Sequence, residues 1–411
     1  MRILINSINY HPELTGIGKY TGEMAEWLVA QGHEVKVVTA PPYYPAWKIS
    51  KGYSSLGYRR EKLNNVAVVR CPLWVPRRPS GAQRLLHLAT FAFTSFPVML
   101  WNGLIWKPSL VFVIEPPLFC GFSALMASRL AGCDAWLHVQ DFEVDAAFAL
   151  GILKKKWLRK IVESTERWLM RGFDRVSTIS ARMLERLDVK CVPKKRQVLF
   201  ENWVDLDRIK PLDNALTLRR ELGVPEDVTA CLYSGNMGKK QGLELVMVAA
   251  KALRRRADLF FIFCGDGVAR GELEHMALGY ENIMFLPLQP LDRLNELLNL
   301  ADIHLLPQRA DAEDLVMPSK LANMLASGKP VIATAGIGSQ IERVVRQAGC
   351  VVEPGDLDSF MRMIENLADD PAMRQSLGQK GRGFAVKYLA KEKILSAAFS
   401  NYPVSINESA M

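Results

Sequence analysis

Two glycines after the first apolar run are the earliest residues in the chain suited to phosphate contact. Gly16 and Gly18 lie between the run Ile3 to Ile8, which predicts a strand, and an amphipathic segment that predicts a helix. Glycine lets a backbone approach a phosphate at a helix N-terminus, where free amides and the helix dipole favour negative charge. The alternative is a tight turn that needs glycine for its shape alone. The second predicted strand, Glu34 to Thr39, does not end on an acidic residue, which argues against a nicotinamide dinucleotide site.

A second glycine-bearing loop, Gly235 to Gly242, follows the apolar run Ala230 to Ser234. Lys239 and Lys240 lie inside this loop, and positive charge beside a helix N-terminus suits a diphosphate. We therefore predict that at least one of the two lysines contacts phosphate. The alternative for the other is a solvated surface side chain.

Residues 318–328 predict a third helix that begins after a loop and ends at a glycine. Ser319 and Lys320 then lie in its first turn, and Asn323 lies one turn further on, where it can reach the same ligand. The alternative is a helix cap and a surface lysine. One more glycine loop leaves a strand and adds two further candidates, Gly338 and Ser339.

Strands and helices must position these loops. The hydrophobic pattern predicts alternating strands and helices in two successive series along the chain. Apolar runs alternate with helical patterns, which is typical of parallel sheets with helices on both faces. The first series of runs is 3–8, 34–39, 110–114, 135–139 and 175–179, and the second is 230–234, 259–264, 282–286, 302–306, 330–333 and 350–352. The sequence predicts an α/β fold of two doubly wound, Rossmann-like domains facing a cleft, with ligands beyond the carboxyl ends of the strands.

A polar segment, Glu201 to Asp213, separates the two series. We therefore expect an N-terminal domain over 1–200 and a C-terminal domain over 201–385. The remaining segment, 386–411, is expected to pack back on the N-terminal domain.

Positive charge is concentrated in the first half of the chain. Residues 1–200 contain 28 Lys and Arg against 15 Asp and Glu, whereas the whole chain has a net charge of +9. Such asymmetry indicates an anionic partner, which charge alone leaves as a phosphate-bearing substrate, an acidic lipid surface or nucleic acid. The seven cysteines are odd in number and widely spaced, which favours a reducing cytoplasm over a disulfide framework or a cysteine metal site.

Two segments predict contact with a membrane surface. The apolar run 91–106 contains Pro97 and Asn102 and is shorter than the roughly 20 apolar residues of a spanning helix, so we expect it to be buried or interfacial. A transmembrane segment is the alternative. Residues 154–171 place apolar side chains at helical spacing beside a cationic face, a pattern that suits anionic lipid. The alternative is a core helix with solvated lysines.

The assembled motifs resemble one known family over residues 1 to about 390. They are the Gly16/Gly18 loop, 177–180 (STIS), 201–205 (ENWVD), 233–236 (YSGN), 264–267 (CGDG), 301–302 (AD), 328–331 (GKPV) and 354–356 (PGD). In this order and spacing the set is similar to retaining glycosyltransferases of the GT-B type, family four, which build bacterial exopolysaccharides. Within that family the chain resembles the colanic-acid biosynthesis glycosyltransferases.

The resemblance implies a nucleotide-sugar donor held by the C-terminal domain, with departures at the usual contacts. Asn236 and Gln241 stand where many members carry an Arg and a Lys, so Lys239 or Lys240 must supply the charge. Leu315 and Asn323 stand where the family has paired glutamates. The candidates to replace them are Asn323 and, from the preceding loop, Asp311, Glu313 or Asp314.

The resemblance also implies that a His or Asp near the reacting sugar follows a strand of the N-terminal domain. Asp141 fits best and His138 second. A carboxylate facing a sugar ring can stabilise cationic character at the anomeric carbon. The alternatives are a helix cap for Asp141 and a structural histidine for His138.

The implied activity is transfer of fucose from GDP-fucose, with retention and without a metal or other cofactor, onto a polyprenyl-diphosphate-linked glycan. The N-terminal domain would bind the acceptor and lie on the inner face of the cytoplasmic membrane. A non-catalytic binding subunit of a polysaccharide assembly complex is the alternative. Nucleic acid is not an expected partner, because no recognition motif accompanies the basic charge.

Overall fold

The computed structural model describes residues 1–13, 16–77, 80–149, 156–212, 216–238, 241–309 and 319–400 of the chain, which divides into two compact units. The first unit is Met1–Glu201 together with the residues from Leu395 onward, and the second is Asn202–Ile394. The chain therefore leaves the first unit once and returns to it.

The first unit is built on an eight-stranded sheet of order β3-β4-β2-β1-β5-β6-β7-β8. Every neighbouring pair is parallel except β3 and β4, which form an antiparallel hairpin at one edge. The strands are β1 (Arg2–Asn6), β2 (Glu34–Thr39), β3 (Arg59–Leu63), β4 (Val66–Arg70), β5 (Leu110–Glu115), β6 (Asp134–Val139), β7 (Arg175–Thr178) and β8 (Gln197–Leu199).

Helices cover both faces of this sheet. They are α1 (Gly16–Ala30), α2 (Gly81–Trp101), α3 (Cys120–Ala131), α4 (Glu143–Ala149), α5 (Lys156–Arg171) and α6 (Ala181–Val189). The connection through α1 runs toward one edge, and those through α2, α3, α5 and α6 run toward the other. Right-handed crossovers therefore place α1 on one face and those four helices on the opposite face.

The second unit is built on a six-stranded, fully parallel sheet of order β11-β10-β9-β12-β13-β14. Its strands are β9 (Thr229–Ser234), β10 (Leu259–Cys264), β11 (Ile283–Leu286), β12 (Ile303–Leu306), β13 (Val331–Thr334) and β14 (Cys350–Val352). The remaining helices are α7 (Leu216–Leu222), α8 (Leu243–Ala252), α9 (Arg270–Met276), α10 (Leu294–Leu300), α11 (Ser319–Ala326), α12 (Gln340–Ala348), α13 (Leu357–Asp369), α14 (Pro371–Phe384) and α15 (Lys391–Phe399).

Aromatic packing fastens the end of α15 to the first unit. The ring of Phe399 lies 5.3 Å from that of Trp136, 6.2 Å from Phe112 and 6.3 Å from Trp27, measured between centroids. Phe399 is 4% exposed. The segment that returns to the first unit starts at Leu395, nine residues after the boundary that we predicted at 386.

The predicted fold class is confirmed, because each unit is a doubly wound α/β sheet whose strands include all of those predicted. Three strands were not predicted, namely β3, β4 and β8. The sequence of β3 is Arg-Arg-Glu-Lys-Leu, and such charged residues are typical of an edge strand, where they prevent pairing with other chains. It therefore lacks the apolar signal on which the prediction depended.

Candidate functional site

In the second unit, the loops after β9 and β10 contact each other through their backbones. The amide of Gly235 donates to Cys264 O at 2.9 Å, and the amide of Met237 donates to Asp266 O at 2.8 Å. A Cβ added at Gly265 would lie 2.0 Å from Gly235 O, and one added at Gly267 would lie 2.5 Å from Met237 O. Only glycine permits this approach, so the two loops form one backbone surface at the carboxyl edge of the sheet.

Lys320, in the first turn of α11, lies beside this surface. Its Nζ lies 3.3 Å from Tyr233 Oη and 4.5 Å from the centre of that ring, and its Cδ lies 3.6 Å from where a Cβ of Gly235 would stand. Tyr233 Oη donates to Asn236 O at 2.6 Å, so Tyr233 links the lysine to the glycine loop. An ammonium at a helix start beside a glycine loop is an arrangement suited to a diphosphate.

The other predicted donor residues are only partly described. The side chain of Asn236 lies between the two loops, since its Oδ1 is 2.7 Å from where a Cβ of Gly267 would stand. Asn323 is half-buried on α11. Ser319 begins that helix, but its side chain lies outside the described residues, as do Lys239 and Lys240.

The third glycine loop has a local role. Gly338 has φ +79°, the left-handed region that favours glycine. Ser339 Oγ accepts a hydrogen bond from Glu342 N at 3.1 Å, which makes Ser339 the N-cap of α12. The sequence did not distinguish this cap from a phosphate contact.

The sequence analysis missed a cavity of about 400 Å³ at the same edge of the second sheet. It is formed by the loops after β9, β12 and β14, and Thr334 fixes the middle one by hydrogen bonds to Gln308 N and O at 2.6 and 2.8 Å. Its lining residues are Gly242, Glu244, Leu245, Gln308, Arg309, Pro354 and Gly355. None of the predicted donor residues lines it, although Gly242 and the Pro354-Gly355 pair belong to motifs that the sequence displayed.

In the first unit, a buried carboxylate lies against the early glycines. Glu13 is 4% exposed, and its Oε1 accepts from Tyr43 N at 2.8 Å and Tyr44 N at 2.9 Å. A Cβ added at Gly18 would lie 2.8 Å from Glu13 Cβ. Burial raises the pKa of Glu13 even though N–H groups donate to it. Gly18 therefore has a packing reason to be glycine, and no pattern in the sequence singles out Glu13.

Asp141 is exposed and is the second residue after β6, at the carboxyl edge of the first sheet. Helix α4 follows it and is held by ion pairs, because Lys190 Nζ donates to Asp145 Oδ1 at 2.9 Å and to Glu166 Oε2 at 2.7 Å. Glu143 accepts from Leu118 N at 2.9 Å, which ties α4 to the loop after β5. These contacts fix the backbone that carries Asp141.

His138 lies inside the sheet, so the structure argues against its direct contact with a substrate. It is 4% exposed, Gln140 Nε2 lies 2.9 Å from its Nε2, and its Nδ1 lies 2.8 Å from Ser177 Oγ. Burial lowers the pKa of His138 to about 3, so its ring is neutral. The burial and the close polar neighbours of His138 fit the alternative given above, a structural histidine.

Three helices on one face of the first sheet expose large apolar side chains. Close contacts bring these helices together, since a Cβ at Gly103 would lie 2.7 Å from Ala127 O and one at Gly121 would lie 2.9 Å from Leu169 Cδ2. We call the result the exposed apolar face, and it consists of Leu86, Phe93, Trp101, Leu104, Ile105, Phe119, Met126, Leu130, Trp157, Ile161 and Trp168. The segment Gly81–Trp106 is long and apolar enough to cross a membrane, and only 28% of its most apolar window is buried in the protein.

No group of three or more His, Cys, Asp or Glu side chains within the described ranges is placed to hold a metal ion. The arrangement offers instead an ammonium and backbone amides in the second unit, and a carboxylate at a strand end in the first.

Comparison with known proteins gives consistent matches over the chain. Residues 15–203 match the family model "Glycosyl transferase 4-like domain", and residues 215–384 match "Glycosyl transferases group 1". The chain is 42% identical over 407 residues to the putative colanic acid biosynthesis glycosyl transferase WcaI of Escherichia coli K12, covering 96% of this chain and 98% of that protein.

Solved structures share the fold at low identity. Sucrose-phosphate synthase from Thermosynechococcus elongatus has a TM-score of 0.75 at 16% identity, covering 98% of both chains. HepE from Anabaena, solved with UDP and glucose, has a TM-score of 0.68 at 14% identity, covering 98% of this chain and 99% of its own.

Proposed function

Because the chain belongs to the GT-B glycosyltransferases with a 4-like N-terminal and a group 1 C-terminal domain, we propose that it transfers a sugar from a nucleotide donor to a lipid-linked glycan. The product would be an exopolysaccharide of the colanic-acid kind, as the name of the Escherichia coli relative suggests. The observation that carries the proposal is Lys320 beside the glycine loops of the second unit.

We propose GDP-fucose as the donor and retention of configuration as the outcome, both from the family resemblance. As the diphosphate leaves, negative charge develops on it. Lys320 and the amides of the glycine loops are placed to stabilise that charge, and Lys239 and Lys240 stay predicted contributors. This scheme asks for no metal ion.

In the same proposal, the first unit binds the acceptor and Asp141 stabilises cationic character at the anomeric carbon. The side chain is exposed at a strand end, where ligands of open parallel sheets bind. The acceptor hydroxyl would attack from the face that the diphosphate leaves. Its oxygen bonds to the anomeric carbon, the bond from that carbon to the diphosphate breaks, and the hydroxyl proton passes to the departing diphosphate. No side chain is assigned as nucleophile.

We further propose that the exposed apolar face rests on an anionic membrane, where a polyprenyl acceptor resides. Large apolar side chains exposed on neighbouring helices indicate an interaction site, and tryptophan suits the lipid interface. Basic side chains accompany it on α5, among them Arg159, Lys160 and Arg167. Sedimentation with phosphatidylglycerol vesicles tests this part, and failure to co-sediment at low salt would contradict it.

A screen of nucleotide sugars by thermal shift, followed by transfer to a short-chain prenyl diphosphate sugar, tests the activity. A true donor binds the folded chain and raises its melting temperature. GDP-fucose should give the largest shift, and product should appear with added EDTA. Binding of the donor without hydrolysis or transfer would instead support the non-catalytic binding subunit, which the departures at Leu315 and Asn323 favour.

A further inference from the structure

Aromatic and basic side chains gather beyond the carboxyl end of β2 in the first unit, apart from Asp141 and from the glycine loops of the second unit. Tyr44 is 43% exposed, and the Arg84 guanidinium lies 5.4 Å from the centre of the Trp47 ring. The Tyr44 ring approaches the start of α1, since its Cε1 lies 3.9 Å from where a Cβ of Gly16 would stand. We call Tyr44, Trp47 and Arg84 the aromatic platform.

Buried groups hold the platform in place. The Glu13 carboxylate accepts from the amides of Tyr43 and Tyr44, which fixes the backbone where the platform begins. His87 is 1% exposed, and its ring lies 5.3 Å from that of Trp47 and 4.6 Å from that of Tyr43. A rigid aromatic surface loses little conformational freedom when it binds a ligand.

Trp47 has φ +51°, a left-handed conformation that bulky residues rarely adopt. A glycine would meet this backbone requirement without strain, so the indole is retained at a cost in stability. Strained backbone of this kind concentrates at functional sites, and here it accompanies a half-buried ring beside an exposed arginine.

We propose that the aromatic platform binds the glycosyl diphosphate end of the acceptor, with a pyranose ring on Trp47 and Tyr44 and the diphosphate on Arg84. Aromatic faces suit the C–H groups of a sugar, and the guanidinium fork matches phosphate oxygens. This inference rests on the proposed function, because it takes a lipid-linked sugar as the acceptor.

Two probes separate the sugar contact from the phosphate contact: geranyl diphosphate glucose and geranyl diphosphate, each titrated into the full chain by calorimetry. Trp47→Gly removes the ring and its packing against His87 while it relieves the backbone, so the melting temperature of each variant is measured first to establish that it is folded. Trp47→Gly should weaken the glucose-bearing probe roughly tenfold and leave geranyl diphosphate unchanged. Arg84→Gln should weaken both probes roughly tenfold, the size expected for one charge-assisted hydrogen bond. Tyr388→Ala and Arg60→Gln are matched controls on other exposed surfaces and should change neither.

The outcomes distinguish this inference from the proposed function. If the wild-type chain transfers sugar to the glucose-bearing probe but Trp47→Gly and Arg84→Gln keep its KM and affinity, the platform is not the acceptor site and the function stands. If the wild-type chain binds the probe as predicted but transfers nothing, the function fails and the platform stands. Absence of probe binding by the wild-type chain overturns the platform.

Discussion

The glycine loops of the two units look alike in sequence and differ in what their glycines accommodate. In the first unit, Gly18 leaves room for the buried side chain of Glu13. In the second, Gly265 leaves room for the backbone of the neighbouring loop, and the cation Lys320 lies beside it. A glycine between a strand and a helix therefore does not by itself predict phosphate. The two loops differ in the charged side chain beside the glycine, which is the carboxyl group of Glu13 in the first unit and the ammonium group of Lys320 in the second.

The largest effect on stability should follow from placing a side chain where the backbones of the two loops touch. Gly265→Ala would place a Cβ 2.0 Å from Gly235 O at φ +145°, so neither loop can yield cheaply. We expect a loss of roughly 3–4 kcal/mol in the free energy of unfolding of the second unit, measured in urea. Gly336→Ala is the control, since it meets nothing within 4 Å. Equal stability of the two variants would refute the contact.

Removing the cation should affect the donor rather than the fold. Lys320→Met should lower kcat/KM for the nucleotide sugar by roughly 10- to 100-fold, because a charged contact to the diphosphate is lost. Lys380→Met, an exposed change in the same unit, should leave kcat/KM near the wild-type value. Comparable rates for both variants would remove Lys320 from the donor site.

Filling the space at the first loop should cost less, since the contact is longer than at Gly265 and Gly18 does not have a positive φ. Gly18→Ala would meet Glu13 Cβ at 2.8 Å, and we expect a loss of about 1–2 kcal/mol in unfolding free energy. Donor affinity, measured by calorimetry, should not change. A loss of donor binding without a loss of stability would restore Gly18 to the phosphate site that the sequence predicted.

The smallest effect concerns the charge of Glu13. Burial raises its pKa in the folded chain, so its protonated form is favoured there, and stability is lost as the pH rises through the folded pKa. Glu13→Gln removes this titration. The unfolding free energy of the variant relative to wild type, measured by urea titration at each pH, should rise between pH 4.5 and pH 8. A flat difference across that range would show that the carboxyl group ionises without penalty.

The sequence predicted the fold well because buried parallel strands are apolar along most of their length, as in β5, which is apolar up to Glu115, and in β10. The family prediction was confirmed by the matches over both domains. The site was harder, since a helix cap such as Ser339 and a ligand contact use the same residue types. The sequence did not predict the cluster of Glu13, Tyr44 and Trp47. These residues lie in loops, and hydrophobic periodicity predicts helices and strands but not the path of a loop. The roles of Asp141, Lys239 and Lys240 stay predictions.

The return of the chain at Leu395 has a consequence for how the protein is made. A ribosome would deliver nearly all of the second unit before Phe399 emerges to cover Trp136 and Phe112. The aromatic surface of the first unit would thus stay exposed until translation of the chain is nearly finished. Expressing residues 1–201 alone would leave that aromatic surface open to solvent and prone to aggregation.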